Sequence, residues 1–479
     1  MIALLRTWAL LAGGLAGLTL PASPAQAAPP IKHVFIVMLE NENAATSFGS
    51  SSASPYLART LPAMGAYVPN YYGTGHVSLD NYVTMVSGQA PNPITQTDCL
   101  FYANVVPGVI GPNDQAIGQG CVYPSQVQTI GDQLQVLALP WRGYMESMGA
   151  NPARESATCG HPALNSQDHT QSATATDQYA SRHDPFVYFH SVIDDQVSCD
   201  QHVVNLDRLP ADLASEQTTP SYSFISPSLC NDGHDATCAN GGPGGLKAID
   251  GFLSAWVPRI VASPAFRDGG LLVVTFDESA NDNSSCCGEP AGLNTPLAGL
   301  GGPGGGKVGA VLVSPYIRGG TVTQTPYNHY SLLRSVEDYF GVAHLGYAAA
   351  SDLASFGADV FTAPAGDGLP PAPVAGSGPG SGPGCHQLTV GKRRGRLPRG
   401  SVLRLVRVVG RARRSHLQLA IGHGATLSLR IDARAGRVVR RTLRLAGCRR
   451  YSIALPAGHG RVLLRARVGR ASETRTVRY

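Results

Sequence analysis

The sequence predicts an α/β protein followed by a smaller all-β domain. Short, continuously apolar runs in the first part are typical of buried parallel strands, and apolar residues at helical spacing recur between them. In the last hundred residues, apolar and polar residues alternate as they do in half-buried strands. Strands interleaved with helices indicate a central sheet covered by helices. The alternating segments indicate a small β-sandwich.

The apolar runs and one helical segment give the elements of the first part in order. The expected strands are Val34 to Leu39, Phe186 to Phe189, Tyr222 to Ile225, Leu271 to Phe276 and Val308 to Val313. A helix is expected from Tyr330 to Phe340, because Leu333, Val336 and Phe340 recur at helical spacing. In the tail, strands are expected at 417–421, 426–431 and 442–445.

Composition divides the chain into four segments. Residues 1–27 hold Arg6, an apolar stretch and Ala25-Gln26-Ala27, the pattern of a cleaved secretory signal. Residues 28–362 form the large domain, residues 363–384 (APAGDGLPPAPVAGSGPGSGPG) a linker, and residues 385–479 the β domain. We therefore expect a protein that is secreted or associated with the cell envelope; an uncleaved amino-terminal anchor is the alternative. No later segment has the roughly 18 apolar residues of a membrane span, so we expect a soluble mature chain.

Ten cysteines in an exported chain are expected to pair, because the compartment is oxidising. Cys99 with Cys121, and Cys230 with Cys238, are close enough to close small loops. The adjacent Cys286 and Cys287 could each pair elsewhere, and Cys385 and Cys448 are expected to bridge one another. The chain has no matched C-x-x-C pairs, which disfavours a cysteine zinc site.

Charge is distributed unevenly. Residues 386–479 carry 24 lysines and arginines against two acidic residues, a net charge of +22, whereas the preceding residues have a net charge of −17. Such a basic tail could bind an anionic envelope or membrane surface. The alternative is an accessory sandwich whose arginines cover its outer face. No nucleic-acid-binding motif is present, so we expect no specific nucleic-acid partner.

Two of the apolar runs end in polar pairs. Glu40-Asn41 follows the first run and Asp277-Glu278 follows the run that ends at Phe276. Ligands of open α/β sheets bind at the carboxyl ends of the strands. The four side chains should therefore converge and hold a metal ion; the alternative for Glu40 is a carboxylate that caps the next helix.

Ser78 lies between these two pairs in sequence. It follows Gly73-Thr74-Gly75 and precedes residues compatible with a short helix that ends at Gly88. A serine at a helix N-terminus is usually a cap, but the positive end of the helix also favours a phosphate and an ionised hydroxyl. Asn81, one turn further on, could donate its amide to a phosphoryl oxygen.

Five segments carry a resemblance to a known family. IKHVFIVMLENEN, HVSLDNYVTMVSGQAPN, NDGHD, TFDES and YNHYSLLRSVEDYFG look like successive blocks of the bacterial phosphoesterase family of the alkaline-phosphatase-like superfamily. The blocks keep the family's order over residues 31–341. The resemblance implies a three-layer α/β sandwich with a mostly parallel sheet, and it covers secreted acid phosphatases, phosphatidylinositol 3-phosphate phosphatases and phospholipases C.

The resemblance also implies roles for particular residues. Ser78 would be the nucleophile, with His234 and His329 as further catalytic residues. The metal ligands would be Glu40, Asn41, Asp277 and Glu278, and the substrate-binding residues His76, Asn81 and Asp235. His183 and His190 carry a weaker signal.

The metal set is rich in oxygen. The wider superfamily commonly has Asp-His where this chain has Asp277-Glu278. Fewer imidazoles suit Mg²⁺, Mn²⁺ or Ca²⁺ better than zinc, and we expect one divalent ion. We therefore expect a metal-dependent hydrolase of phosphomonoesters that acts through a phosphoserine, with phosphatidylinositol 3-phosphate as one candidate substrate. The alternatives are a phospholipase C-type phosphodiesterase and a catalytically inert envelope-binding protein. No oligomeric state follows from the sequence.

Overall fold

A computed structural model describes residues 29–289 and 304–363, together with the backbone of seven strands within residues 403–478. The chain divides into two compact units, Met1–Pro373 and Val374–Tyr479. The predicted signal, most of the predicted linker and the proposed Cys385–Cys448 bridge lie outside the described residues.

The first unit is built on a mixed sheet of eight strands with helices packed against it. Its strands are β1 (His33–Leu39), β2 (Ala66–Val68), β3 (Tyr71–Tyr72), β4 (Phe101–Tyr102), β5 (Val106–Ile110), β6 (Ala116–Gln119), β7 (Trp141–Met145), β8 (Ser166–Gln167), β9 (Val203–Asn205), β10 (Tyr222–Ser226), β11 (Gly270–Phe276), β12 (Ala310–Val313), β13 (Thr321–Val322) and β14 (Tyr327–Asn328). Its α-helices are α1 (Ala44–Ser47), α2 (Leu61–Met64), α3 (Ser78–Ser87), α4 (Ile130–Val136), α5 (His190–Ile193), α6 (Gln196–His202), α7 (Leu209–Asp212), α8 (Gly245–Ala262), α9 (Pro264–Arg267) and α10 (His329–Phe340).

The sheet has the order β13-β2-β12-β11-β1-β10-β7-β9. Pairing is parallel from β11 through β1, β10 and β7 to β9, and antiparallel on both sides of β12. Every residue of the central strands β1, β10 and β11 is buried, as their continuous apolar sequences require. The predicted α/β fold with a mostly parallel sheet is confirmed.

One predicted strand is wrong. Residues Pro185–Tyr188 form a 3₁₀-helix, and Pro185 occupies its first position. The Asp184 carboxylate accepts a hydrogen bond from the Phe186 N–H at 3.3 Å. Proline and the Asp184 cap start a helical turn where the apolar composition suggests a strand. The segment is still buried, so its hydrophobicity reports burial and not strand geometry.

Four disulfides lie in the first unit. Cys99–Cys121 and Cys230–Cys238 are the expected pairs, and Cys159–Cys199 joins two further segments. Cys286 and Cys287 bond to one another, so the expectation that each could pair elsewhere is wrong. Among the described residues, no helix is long and apolar enough to cross a membrane.

The second unit contains β15 (Leu403–Val409), β16 (His416–Ile421), β17 (Ala425–Ala433), β18 (Val438–Leu445), β19 (Arg449–Ala454), β20 (Gly460–Val468) and β21 (Ala471–Arg478). They form a three-stranded sheet, β15-β16-β19, and a four-stranded sheet, β18-β17-β20-β21. All described pairings in these two sheets are antiparallel. The β-sandwich remains a prediction.

Candidate active site

The parallel pairing of β1 and β11 brings their polar ends together. Leu39 lies opposite Phe276 in the register, so Glu40 and Asp277 emerge side by side. Both residues are fully buried. The Asp277 Oδ1 accepts a hydrogen bond from the Asn41 N–H at 3.1 Å. The carboxyl end of the sheet thus concentrates two carboxylates in a place closed to bulk water.

Ser78 meets this edge from the other side. It is the first residue of α3, preceded by Val77 in an extended conformation. Its Oγ donates a hydrogen bond to the Glu40 Oε2 at 2.8 Å. The Asp98 carboxylate accepts from the Leu79 N–H at 3.0 Å, so an acidic side chain already occupies part of the helix N-terminus.

The loop before Ser78 is held by Asn81. The Asn81 Oδ1 accepts from the backbone N–H groups of Thr74 and Gly75, at 2.8 and 3.1 Å. Its Nδ2 donates to the carbonyls of Gly75 and Val77, at 3.0 and 3.1 Å. The amide hydrogens that we expected to contact a phosphoryl oxygen are therefore engaged in fixing the backbone that positions Ser78.

His183 completes a cluster with Glu40 and Asp232. The His183 Nε2 lies 3.4 Å from the Glu40 Oε2, and its Nδ1 lies 3.2 Å from the Asp232 Oδ2. One ligand atom from each of the three residues can be chosen so that all lie within 4.8 Å of one another. All three side chains are buried.

Tyr82, one turn after Ser78 on α3, orients two members of this cluster. Its hydroxyl donates to the Glu40 Oε1 at 2.5 Å. Its ring stacks on the His183 imidazole, with centroids 5.1 Å apart and planes inclined by 6°. A single helix therefore positions the hydroxyl of Ser78, the carboxylate of Glu40 and the ring of His183.

Burial perturbs the titration of these groups. Desolvation, with Asp277 and Asp232 nearby, raises the pKa of Glu40 well above its usual value. Burial likewise raises the pKa of Asp232 well above normal and that of Asp277 to about 7. Burial and the adjacent Arg182 lower the pKa of His183 well below normal. Such a concentration of buried carboxyl groups favours a cation that would hold them in the ionised form.

Unpartnered atoms support the same conclusion. Among the described residues, the Asp277 Oδ2, the Asp232 Oδ2 and both His183 nitrogens have no well-formed hydrogen bond. Buried polar atoms are normally paired. Carboxylate oxygens and an imidazole nitrogen together form a common donor set for divalent metals, so the residues present fit a metal ion.

His234 and Asp235 lie at the edge of the cluster, next to a buried arginine. The His234 Nδ1 lies 2.9 Å from the Asp235 Oδ1. The His234 Nε2 lies 3.2 Å from Nη2 of Arg182, whose Nε is 3.5 Å from the Asp98 Oδ2. The His234 side chain is 35% exposed, so it can reach a ligand from solvent.

His329, Glu278 and His76 are held by contacts with other protein groups. The fully buried His329 donates through Nε2 to the Asp277 backbone carbonyl at 2.6 Å, and its Nδ1 accepts from the Tyr71 hydroxyl at 3.1 Å. Burial lowers the pKa of His329 to about 4. The Glu278 carboxylate contacts the His76 Nδ1. His329 therefore supports a strand end, and Glu278 contacts His76.

The sequence does not point to Asp232, Tyr82 or Arg182 as members of this site, and it gives only a weak signal for His183. Asp232 lies within the NDGHD block that points to His234 and Asp235. His183 belongs to the charged triplet Arg182-His183-Asp184, which directly precedes an apolar run. Charged residues next to a buried segment are the sequence signal that could have indicated these site residues. The same pattern is typical of an ordinary strand boundary.

A serine hydroxyl at a helix N-terminus thus lies beside buried carboxylates and an imidazole at the carboxyl edge of the sheet. Residues 56–343 match the family model described as the Phosphoesterase family. The chain belongs to this family, as its five sequence blocks predict.

Relatives of known name agree with this assignment. A Kluyveromyces lactis protein named "Probable acid phosphatase" is 27% identical over 352 residues, covering 72% of this chain and 68% of its own length. An acid phosphatase of Aspergillus fumigatus is 23% identical, covering 60% and 51%. A phosphatidylinositol-3-phosphatase of Mycobacterium tuberculosis is 25% identical, covering 68% and 82%. The aligned region thus spans from about half to about four fifths of these relatives.

Solved structures resemble the chain more distantly. A protein of the alkaline phosphatase superfamily from Vibrio parahaemolyticus aligns with a TM-score of 0.39 and 13% identity, covering 67% of this chain and 69% of the other.

Proposed function

We propose that the protein is an exported, metal-dependent phosphatase that hydrolyses phosphomonoesters through a phosphoserine at Ser78. The observation that carries the proposal is the position of the Ser78 Oγ, at the start of α3 and 2.8 Å from the Glu40 Oε2. Membership of the Phosphoesterase family and the acid phosphatase relatives support the reaction class.

The first step transfers the phosphoryl group to the protein. The Ser78 hydroxyl points its proton at Glu40, which sets the direction in which that proton leaves as Oγ attacks phosphorus. The positive end of α3 and the Arg182 guanidinium would stabilise charge on the phosphoryl oxygens. The P–O bond to the leaving group breaks, and the partly exposed His234, in its protonated form, would donate a proton to the departing alkoxide.

Water then attacks the phosphoserine, which releases inorganic phosphate and returns a proton to the Ser78 oxygen. A divalent ion held by Glu40, His183 and Asp232 would favour the alkoxide form of Ser78 and neutralise phosphoryl charge. Asp277 and Asn41 border this group through their mutual hydrogen bond. The imidazole weakens the preference for Mg²⁺, Mn²⁺ or Ca²⁺ that an all-oxygen set would imply.

Three features support the proposed location and substrate. Four disulfides suit an oxidising compartment outside the cytoplasm. A phosphoinositide substrate is suggested by the mycobacterial phosphatidylinositol-3-phosphatase among the relatives. The basic tail, with its net charge of +22, would add affinity for an anionic envelope surface.

The test is phosphate release by the purified protein from p-nitrophenyl phosphate and from its bis ester. We expect Ser78→Ala to lower kcat by about 10³-fold or more, and a chelator to abolish turnover until a divalent metal is restored. Ser87→Ala is the matched control, because Ser87 is a buried serine at the other end of α3 whose Oγ bonds the Val83 carbonyl. Undiminished hydrolysis by Ser78→Ala would reject the mechanism.

The remaining alternatives give different results in the same assay. Faster cleavage of the bis ester would indicate a phosphodiesterase. Absence of hydrolysis with every ester would indicate an inert envelope-binding protein. Deletion of residues 385–479 should release the protein from the envelope without loss of turnover if the tail is a targeting domain.

A further inference from the structure

The segment of residues 99–122, in which β5 and β6 pair as a two-stranded ribbon, differs from the rest of the first unit in composition. Asp114 is its only charged residue, although many of its residues are exposed. We call it the apolar ribbon; it contains β4, β5 and β6, and the Cys99–Cys121 disulfide closes its base. Surface segments of this length normally carry several charges. Solubility in water therefore does not account for the lack of charged residues in this segment.

The ribbon exposes large apolar side chains. The exposed fractions are 56% for Leu100, 53% for Phe101, 67% for Val106, 58% for Val109 and 39% for Ile110. Single exposed apolar residues are ordinary, but several in one short segment mark a contact surface.

The exposure is two-sided. Successive side chains of a strand point to opposite faces, yet four of the five residues of β5 are exposed and the fifth is only half-buried. Strand β5 therefore covers no part of the core with either face. An edge exposed on both faces suits immersion in a fluid apolar phase better than docking against one flat protein surface.

The ribbon is fixed to the two ends of helix α3. At the start of the ribbon, Asp98 accepts from the Leu79 N–H, next to Ser78, and Cys99 follows Asp98 directly. Between β5 and β6, the Gln115 Nε2 donates at 2.9 Å to the carbonyl of Gly88, which follows α3. The apolar side chains are thus held at a set position relative to the proposed nucleophile.

From this arrangement we infer that the apolar ribbon enters the interfacial region of a lipid bilayer and presents Ser78 to phosphomonoesters carried on lipids. The lack of charge matches the apolar boundary of a membrane. Pro107 lacks an N–H on β5, which disfavours pairing with a strand of a second copy. The consequence for substrates rests on the proposed phosphatase function, whereas the membrane contact does not.

The binding test uses the full-length protein and vesicles of pure phosphatidylcholine, because neutral lipid keeps the basic tail from dominating the result. We expect the wild type to sediment with the vesicles and the triple variant Leu100→Ser, Phe101→Ser, Val109→Ser to bind at least roughly tenfold more weakly. The matched control is Val136→Ser with Val197→Ser, which removes two apolar side chains that are 83% and 70% exposed elsewhere. Ser78→Ala should bind as the wild type does.

In the binding test, the inference would be overturned by no sedimentation of the wild type, by equal binding of the triple variant, or by an equal loss of binding in the control. If the wild type forms a dimer in sedimentation velocity and the triple variant does not, the inference is overturned in favour of self-association.

Activity is measured in a separate experiment. If the phosphatase proposal holds, the triple variant should lose kcat/KM toward a phosphoinositide in vesicles by roughly tenfold and keep kcat/KM toward p-nitrophenyl phosphate. If the triple variant changes kcat/KM, relative to the wild type, by the same factor for both substrates, the inference is overturned even though the enzyme is active.

Discussion

At the scale of single residues, Glu40 connects the members of the site to one another. Its two oxygens accept from Ser78 and Tyr82, its Oε2 faces His183, and its N–H donates to the Asp232 carbonyl. A carboxylate with this many fixed neighbours cannot reorient freely. The geometry of the hydroxyl and of the proposed metal ligands is therefore set by one residue at the end of one strand.

His183 and Asp232 provide the first prediction. We expect His183→Gln and Asp232→Asn each to lower the affinity for a divalent ion by at least about tenfold, because each removes a ligand of the proposed set. Metal content per protein after dialysis against a fixed free-metal concentration is the measurement. His202→Gln should keep full metal content, since His202 stacks on Trp141 and bonds the Ser198 carbonyl. Wild-type metal content in both site variants would contradict the assignment.

His329 provides the second prediction. We expect His329→Leu to lower the free energy of unfolding by about 2–4 kcal/mol, because it leaves the Tyr71 hydroxyl and the Asp277 carbonyl without partners. Chemical denaturation in a chelator would measure this loss without any contribution from metal. A variant with unchanged stability that has lost activity would instead support the catalytic role suggested by the resemblance.

At the scale of elements, helix α3 is the part on which the site depends. All ten of its residues are buried, so it is fixed along its whole length. It begins at the proposed nucleophile, Ser78, and ends at Gly88, which has a φ of 68° and therefore a left-handed conformation. Helix α10 ends in the same way at Gly341, with a φ of 66°.

These two glycines make a matched pair for the third prediction. Gly341→Ala should lower the free energy of unfolding by about 1 kcal/mol, because the left-handed conformation is the only unfavourable factor for a Cβ there. Gly88→Ala should cost about 2–4 kcal/mol, because its Cβ would also lie 2.2 Å from the Leu345 carbonyl oxygen. Denaturant unfolding of both variants gives the comparison. Equal losses of unfolding free energy in the two variants would show that the loop around Leu345 moves to make room for the Cβ.

At the scale of the whole molecule, several carboxyl groups outside the site are buried or half-buried, and no described cation pairs with them. Burial raises the pKa of Glu337 to about 9, and those of Asp184 and Glu289 to about 8. In the unfolded chain these groups would titrate near their ordinary values, around 4. The folded protein therefore keeps protons over a pH range in which the unfolded chain has released them.

The sign of the resulting pH dependence gives the fourth prediction. The stability contributed by protonated Glu337 is complete below about pH 4.5 and is lost as the pH rises towards 9, by at most about 1.4 kcal/mol per pH unit. Glu337→Gln cannot ionise and can still accept from the Leu345 N–H. We expect the Tm of this variant to match the wild type near pH 4.5 and to exceed it increasingly towards pH 8. A constant difference across this range would contradict the protonated state of Glu337.

The sequence predicts those parts of the fold and of the site that local sequence patterns determine. Continuous apolar runs require burial on both faces, so β1, β10, β11 and the helix α10 could be expected close to their observed positions. Neighbouring parallel strands end at a common edge of the sheet, which is why Glu40 and Asp277 could be expected to meet. The placement of Ser78 beside them is consistent with the same reasoning together with the family blocks.

Tertiary structure alone decided the rest, because the remaining partners come from loops whose ends carry no periodic signal. His183 and Asp232 lie far apart in sequence and meet only because the turn at Pro185 and the loop after β10 both fold over the same strand ends. The same packing engaged the Asn81 amide with the backbone and enclosed His329 behind Asp277. Side-chain composition sets which atoms can bind a cation or a phosphate, whereas only the three-dimensional packing sets which of them remain without a protein partner.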